Sequence, residues 1–150
     1  IETVTQIAAF KDVVGLFFGA ADASASLGCK LAWEPLLYAR QRVVLAASMF
    51  NLFTIDAPYF YIDKMAGLKE EAEKVKNLGF TGKAAIHPDQ IDHINEAFSP
   101  SAEEKEEAKK VLEEYQKSGG GAIKVDGQMI DEPIAEAMRL KITLGEEEKD

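Results

Sequence analysis

Two acidic residues, Glu2 and Asp22, stand beside short apolar stretches, where a carboxylate could bind a metal ion. Asp22 follows the apolar run at residues 13–18, which predicts a strand buried on both faces, and Gly19 allows a tight turn between them. We interpret residues 1–3 as the end of another strand. Because the carboxyl ends of parallel strands meet at one edge of a sheet, both carboxylates are expected there, as candidate ligands for Mg²⁺.

Each candidate also has a structural interpretation, and the residues alone do not decide between the two. Asp22 either binds a metal or caps the helix predicted over residues 23–28. Asp56 ends a strand and either faces the same site or orders the turn that follows. His87, at another strand end, is more often a structural residue than a general base. Asp131 is the best-placed helix N-cap in the chain.

Strands and helices alternate along the first two thirds of the chain. Because the connections between strands are of helix length, the strands must be parallel, with right-handed crossovers. This order predicts an α/β fold, either half of an α/β barrel or a small doubly wound sheet. The predicted strands span residues 13–18, 52–57 and 83–86; the predicted helices include residues 4–11 and 23–28, one opened by Pro35, one from an N-cap at Asp63 to Gly79, and a short one that contains Ile91, Ile94 and Phe98.

The last third of the chain, residues 99–150, has a different organisation. A Ser-x-x-Glu capping box at Ser101 predicts a helix, and the Ser-Gly-Gly-Gly segment at 118–121 predicts a flexible connector after it. The Asp126-Gly127 pair favours a type I′ turn in a β-hairpin, and Asp131 opens a final helix to about residue 144. This segment has too little core of its own, so we expect it to pack on the barrel or on another subunit.

The composition excludes several classes of protein. The chain has 150 residues, 47% of them hydrophobic and 29% charged, which suits a globular domain with its own core. The net charge of −9 argues against a nucleic-acid partner and against an anionic membrane surface. Cys29 is the single cysteine, so this sequence holds no disulfide framework. With no long apolar run, the cytoplasm is the default compartment.

Six motifs in order resemble the carboxyl half of the citrate lyase β-subunit-like branch of the HpcH/HpaI aldolase family. That branch includes the citryl-, malyl- and citramalyl-CoA lyases. The similarity extends over nearly the whole chain. The motifs are Ile1-Glu2-Thr3, Phe18-Gly19-Ala20-Ala21-Asp22, Glu34-Pro35-Leu36-Leu37-Tyr38-Ala39-Arg40, Ile86-His87-Pro88-Asp89-Gln90-Ile91, Phe98-Ser99-Pro100-Ser101 and Asp126-Gly127-Gln128-Met129-Ile130-Asp131-Glu132-Pro133.

The resemblance implies a (β/α)8 TIM barrel with a carboxyl-terminal helical and hairpin extension. Residues 1–98 would form the carboxyl half of the barrel, and residues 99–150 the extension, packed on a neighbouring subunit. The implied activity is a Mg²⁺-dependent carbon–carbon lyase. It would cleave a 3-hydroxyacyl-CoA thioester (citryl-, malyl- or citramalyl-CoA) to a keto acid and acetyl-CoA.

The resemblance also implies roles for individual residues. Glu2 and Asp22 match the metal-binding carboxylates, and the backbone of Ala20, Ala21 and Asp22 would bind the keto-acid carboxylate. Asp131 matches an acidic residue that reaches into the active site of a neighbouring subunit, where it would act as the catalytic acid–base group. A shared site requires a homo-oligomer, which we expect to be a trimer or a hexamer.

The size of a complete barrel raises one further expectation. A (β/α)8 barrel usually takes about 250 residues, so we expect the intact polypeptide to be longer than this chain and to supply the remaining strands. The alternative is a truncated or degenerate homologue that acts as a non-catalytic scaffold or binding subunit. An intact mass near 16.4 kDa would favour the alternative, and about twice that mass the lyase.

Overall fold

The computed structural model describes residues 1–119 and 121–144, apart from the side chains at 141, 143 and 144. It divides into two compact units, Ile1–Phe98 and Ser99–Asp150. The assignment of these segments to a half-barrel and an extension stays a prediction. Within the predicted connector, residue 120 lies outside the described residues.

The first unit alternates strands and helices in the predicted order. The strands predicted at 13–18 and 52–57 are present but shorter. The third strand is Gly82–Lys83 and shares only Lys83 with the predicted range 83–86, because the Ile86 N–H donates to the Gln90 side chain and not to a neighbouring strand. The elements are α1 (Val4–Ala8), β1 (Gly15–Phe17), α2 (Ala20–Leu27), α3 (Trp33–Ser48), β2 (Phe53–Asp56), α4 (Met65–Leu78), β3 (Gly82–Lys83), a 3₁₀ turn (Pro88–Gln90) and α5 (Ile91–Phe98).

The three strands form one parallel sheet in the order β1-β2-β3, which confirms the predicted α/β class and strand direction. Gly15 pairs with Phe53, and Ile55 pairs with Gly82. A Cβ atom at Gly15 would lie 3.1 Å from the carbonyl oxygen of Phe53, so glycine allows β1 and β2 to approach closely. The described strands form an open sheet and not a closed barrel.

The two faces of the sheet differ sharply in burial. On β2, Thr54 and Asp56 are buried, whereas Phe53, the first residue of the strand, is 67% exposed. Successive side chains of a strand point to opposite faces, so one face packs against helices and the other is open. Phe17 of β1 lies on the open face with Phe53 and is 61% exposed.

Helix α3 supplies much of the core of the first unit. On its apolar stripe, Leu36 and Val43 are buried and pack with Phe18 of the turn after β1 and with Val75 of α4. Arg40 lies on this same stripe and is only 4% exposed. A charged side chain in that position needs partners within the core.

Several predicted boundaries are wrong, and α1 ends at Ala8 and not at residue 11. Residues 1–3 form a turn and not a strand, because the N–H groups of Gln6 and Ile7 donate to the carbonyl oxygen of Thr3, at 3.0 and 3.1 Å, and draw it into α1. Asp63 does not cap α4, which begins at Met65 with Lys64 in the N-cap position and no side-chain cap bond. The predicted end of α4 at Gly79 is confirmed, with φ of 99°.

The second unit contains α6 (Ala102–Lys117), a hairpin of β4 (Ile123–Val125) and β5 (Gln128–Ile130), and α7 (Glu132–Leu144). The capping box is confirmed: Ser101 Oγ accepts from the Glu104 N–H at 3.1 Å, and the Glu104 carboxylate accepts from the Ser101 N–H at 2.9 Å. Asp126 and Gly127 have φ of 47° and 90°, as a type I′ turn requires. The two helices and the hairpin bury a small core of Val111, Leu112, Tyr115, Val125, Ile130 and Ala135.

Within the described part of the chain, every helix is too short or too polar to cross a membrane.

Candidate active site

Asp22 lies where the chain leaves the carboxyl end of β1. Helix α2 begins at Ala20 with Gly19 in the N-cap position, so Asp22 is the third residue of the helix. It therefore comes too late to cap, and no side-chain cap bond forms at this helix start. The capping interpretation of Asp22 is wrong, and its exposed carboxylate is available to a ligand.

Gly19 lies directly under the Asp22 carboxylate. A Cβ atom at Gly19 would lie 3.2 Å from Asp22 Oδ2 and would crowd it. The backbone of Gly19 has φ of −85°, which other residues also adopt, so the need for glycine comes from this close approach. The turn thus keeps space for the carboxylate beside the helix start.

The start of α2 also presents backbone donors. The Ala23 N–H donates to the carbonyl oxygen of Gly19 at 2.9 Å, which begins the helical ladder. The N–H groups of Ala20, Ala21 and Asp22 precede that ladder and lie at the positive end of the helix. Donors in this position suit a carboxylate ligand, which is the chemistry predicted for these three residues.

Glu2 occupies a turn and not the strand end that the sequence predicts. Its side chain is 73% exposed. The Tyr38 hydroxyl donates to Glu2 Oε1 at 3.4 Å, and Arg42 Nη2 lies 3.8 Å from Oε2. Both partners come from α3, one helical turn apart, so α3 orients the Glu2 carboxylate despite its exposure.

One cleft of about 770 Å³ contains both predicted metal ligands. Glu2, Asp22, Gly19, Phe17 and Tyr38 are among its lining residues. Mg²⁺ is commonly held by one or two carboxylates, with waters and substrate oxygens as the other ligands. The described residues contain no group of three or more Asp, Glu, His or Cys side chains placed to bind a metal. Glu2 and Asp22 would therefore supply two ligands at most and leave the others to waters and substrate.

The sequence suggests that Asp56 either faces this site or orders the turn after its strand. The structure shows neither role. Asp56 is fully buried, and its two carboxylate oxygens accept from two different cations. Arg40 Nε donates to Oδ1 at 2.8 Å, and Lys83 Nζ donates to Oδ2 at 2.9 Å. Asp56 therefore ties α3, β2 and β3 together between the sheet and the helices.

Lys83 completes this buried cluster. Its ammonium group also donates to the carbonyl oxygen of Ala57 at 2.7 Å and to Glu71 Oε1 at 2.7 Å, so all three of its protons are used. Burial, followed by the nearby Glu71 carboxylate, raises the pKa of Tyr59 above its ordinary value. The sequence signal for this cluster is a cation, Arg40, within the apolar stripe of α3.

His87 and Asp131 both have structural roles. His87 Nδ1 accepts from the Asp89 N–H at 3.2 Å and caps the 3₁₀ turn. Asp131 Oδ1 accepts from the Ile134 N–H at 3.3 Å and caps α7, as the sequence predicts. Asp131 belongs to the second unit, and its catalytic role stays a prediction.

The residues that line this cleft lie within a segment that matches a known protein family. Residues 1–88 match the model of the HpcH/HpaI aldolase/citrate lyase family, which is more than half of the chain. The chain belongs to the HpcH/HpaI aldolase/citrate lyase family.

A citramalyl-CoA lyase and a citrate lyase subunit are among the proteins that are similar to this chain. The chain is 39% identical over 144 residues to the mitochondrial citramalyl-CoA lyase of Homo sapiens, covering 93% of this chain and 42% of that protein. It is 34% identical over 146 residues to the citrate lyase subunit beta of Haemophilus influenzae, covering 93% of this chain and 50% of that protein. The chain thus spans about half the length of these relatives.

The fold of the chain is also found in a solved member of the family. The protein CitE of Mycobacterium tuberculosis, in complex with magnesium, acetoacetate and coenzyme A, superposes with a TM-score of 0.85. The two are 32% identical, and the match covers 95% of this chain and 56% of that one. Magnesium therefore occurs in a structure of this family.

Proposed function

We propose that the intact protein is a Mg²⁺-dependent carbon–carbon lyase. It cleaves a 3-hydroxyacyl-CoA thioester, of the citryl-, malyl- or citramalyl-CoA type, to a keto acid and acetyl-CoA. The observation that carries the proposal is the single cleft that holds Glu2, Asp22 and the start of α2. The family membership and the names of the relatives support it. We further propose that more strands complete a (β/α)8 barrel around this sheet.

The chain's own residues would bind one end of the substrate. Glu2 and Asp22 hold the metal, and the N–H groups of Ala20, Ala21 and Asp22 bind the carboxylate that ends up in the keto acid. Mg²⁺, when bound, supplies Lewis-acid polarisation of the substrate oxygen that becomes the keto group. Because Gly19 has no Cβ atom, the Asp22 carboxylate has the space to hold the metal.

The cleavage breaks one carbon–carbon bond and transfers a net one proton from the hydroxyl oxygen to carbon. A base removes the proton of the 3-hydroxyl group, and the carbon–oxygen bond becomes a double bond. The bond between C2 and C3 breaks, and its electron pair goes to C2 of the thioester. That carbon then takes up a proton to give acetyl-CoA. Charges balance, and no oxidant or reductant is needed.

We propose Asp131 as the acid–base group, acting in the site of a neighbouring subunit of a trimer or hexamer. Asp131 caps α7 through Oδ1, which fixes the side chain at the start of a helix. The positive end of the helix favours the charged carboxylate, which suits a base. The cap bond uses one oxygen of the carboxylate and leaves the other for a proton.

Replacing Asp22 with Asn tests the metal site. We expect Asp22→Asn to weaken Mg²⁺ binding, measured by isothermal titration calorimetry, and to abolish lyase turnover, because a carboxylate ligand is lost. Asp92 is the matched control, since it is also an exposed acid in the first turn of a helix. Asp92→Asn should change neither measurement. Unchanged Mg²⁺ affinity and turnover in Asp22→Asn would show that Asp22 is not a metal ligand, whereas absence of turnover in the natural protein would support the non-catalytic alternative.

Replacing Asp131 with Ser separates capping from catalysis. Serine caps a helix about as well as aspartate, so Asp131→Ser should fold normally. Turnover should fall by about 10²- to 10⁴-fold if Asp131 transfers the proton. Full activity in this variant would leave Asp131 with capping alone.

A mixing experiment tests the shared site. Inactive Asp22→Asn and Asp131→Ser subunits are combined, and subunit exchange is verified by native mass spectrometry. A site shared between subunits contains some interfaces with both natural residues, so part of the activity returns. If exchange occurs without recovery, the site lies within one chain.

The cytoplasm remains the proposed compartment. Three of the similar proteins carry the word mitochondrial in their names. Fractionation of the cells that make this protein, with markers for each compartment, distinguishes the cytoplasm from the mitochondrion.

A further inference from the structure

Arg40 connects the buried charge cluster to the turn that carries Asp22. Its Nε donates to Asp56 Oδ1 at 2.8 Å, at the carboxyl end of β2. Its guanidinium lies over the ring of Phe18, with 5.1 Å from Cζ to the ring centroid. Phe18 is followed directly by Gly19. One side chain thus contacts the ends of two neighbouring strands.

The guanidinium is held from a second side as well. The ring of Trp33, at the start of α3, lies 4.8 Å from Arg40 Cζ. Phe18 itself is 3% exposed, and its N–H donates to the carbonyl oxygen of Ile55 at 2.9 Å. Stacking on aromatic rings and a hydrogen bond in the guanidinium plane fix both the position and the orientation of Arg40.

The position of Arg40 also carries an energetic cost. Among the described residues, Arg40 Nη1 is buried and has no hydrogen-bond partner. A buried N–H without a partner destabilises the folded state. A smaller or apolar side chain would avoid that penalty, but it would leave Asp56 Oδ1 without its cation and would lose the connection from Asp56 to Phe18.

We propose that Arg40 is a positioning residue for the metal site. Through Asp56 on one side and Phe18 on the other, it fixes the turn at Gly19 and hence the Asp22 carboxylate. This inference rests on the proposed function, in which Asp22 binds Mg²⁺. Arg40 itself does not line the cleft that contains Asp22, so it acts only through its neighbours.

Two variants test this role in the intact protein. Arg40→Lys keeps a positive charge near Asp56 but removes the planar group that stacks on Phe18 and Trp33. Phe18→Leu keeps an apolar side chain on the core and leaves the ion pair in place, so it tests the same contact if Arg40→Lys does not fold. Lys69→Met is the control, since it removes an exposed cation of the same unit that pairs with Glu96 at 3.0 Å.

The Kd for Mg²⁺, from isothermal titration calorimetry, is compared with the Tm of each variant. We expect both Arg40→Lys and Phe18→Leu to bind Mg²⁺ about tenfold more weakly, as loss of a residue that orients a metal ligand does. The weakening should exist at temperatures where each variant is fully folded. Turnover should fall in both, and Lys69→Met should match the natural protein in all measurements.

Two results would overturn the inference, and only the second would also overturn the proposed metal site. If Asp22→Asn loses Mg²⁺ binding while Arg40→Lys and Phe18→Leu keep it, Arg40 serves only the stability of the fold, and the metal site stands. If Arg40→Lys does not fold, Phe18→Leu alone decides. If Asp22→Asn itself keeps its Mg²⁺ affinity, the proposed metal site is wrong, and the role of Arg40 falls with it.

Discussion

Lys83 is the residue whose loss should damage the first unit most. Together with Arg40, its ammonium group balances the charges of Asp56 and Glu71, in a region where the Lys83 and Asp56 side chains are fully buried. Removing one partner of a buried ion pair leaves an uncompensated charge and costs about 3–5 kcal/mol. We expect Lys83→Met to lower the free energy of unfolding by that amount, measured by urea denaturation at pH 7.

The exposed pair of Lys69 and Glu96 provides the comparison. Its side chains are 49% and 70% exposed, and exposed ion pairs contribute about 0–1 kcal/mol. Lys69→Met should therefore shift the urea midpoint only slightly. Equal losses in Lys83→Met and Lys69→Met would show that the buried cluster contributes little more than a surface pair.

The sequence identified Asp22 at the carboxyl end of a strand, because an apolar run followed by glycine marks that position. It did not identify the partners of Asp56, since ion pairs between distant residues depend on how helices pack on the sheet. Glu2 illustrates a different limit. Its position beside an apolar residue suggested a strand end, but hydrogen bonds to Thr3 place it before a helix instead.

At the scale of elements, α7 is anchored to α6 through Glu132. Arg139 Nη1 donates to Glu132 Oε1 at 2.7 Å. Hydrogen bonds from Arg139 and from Tyr115 hold the pKa of the Glu132 carboxyl below its ordinary value of 4.5. Tyr115 belongs to α6 and is buried in the core of the second unit. The carboxylate therefore links two helices as long as it is ionised.

The lowered pKa predicts a pH-dependent contribution to stability. A carboxyl with a lower pKa in the folded than in the unfolded state stabilises the fold above the unfolded pKa, and the contribution is lost as the pH falls through the folded pKa. Glu132→Gln should lower the Tm of the second unit at pH 7 and have no effect at a pH below both values. Thermal denaturation followed by circular dichroism measures this.

Glu113 is the control for this measurement. It lies exposed on α6, and Glu113→Gln should give the same Tm as the natural protein at both pH values. A Glu132→Gln variant whose loss of stability persists at low pH would indicate a packing role for the side chain and not a charge.

The element order was predictable because it depends on local patterns: apolar runs for the strands, a capping box at Ser101 and an Asp-Gly turn. Element ends were less predictable. Helix α2 begins at Ala20, earlier than its prediction, because the small residues after Gly19 continue the helix without a polar cap. The predicted N-cap at Asp63 is also wrong, because α4 begins without any side-chain cap bond.

At the scale of the whole molecule, the open face of the sheet exposes large apolar side chains that further structure would cover. Phe17 and Phe53, at 61% and 67% exposed, lie on this face on neighbouring strands, two residues apart in register. Large apolar side chains exposed on one face of a sheet are costly in water. The proposed barrel places this face inward, where side chains from the remaining strands would cover it.

Phe53→Ser distinguishes a covered face from an open one in the intact protein. If further strands cover the face, the substitution opens a cavity and should cost about 3–5 kcal/mol in the free energy of unfolding. If the face is open to water, the cost should stay within about 0.5 kcal/mol. Gln41→Ser, at an exposed position of α3, gives the background for a surface change.

The order β1-β2-β3 in the sheet is also the order in which the ribosome makes these strands. Each strand pairs with its successor, so each pairing closes one crossover, with α2 and α3 between β1 and β2 and α4 between β2 and β3. Parallel sheets are slow to form because their partners are distant in the chain. Here that delay is divided into short steps, and the nascent chain can add strands one at a time to the edge already built.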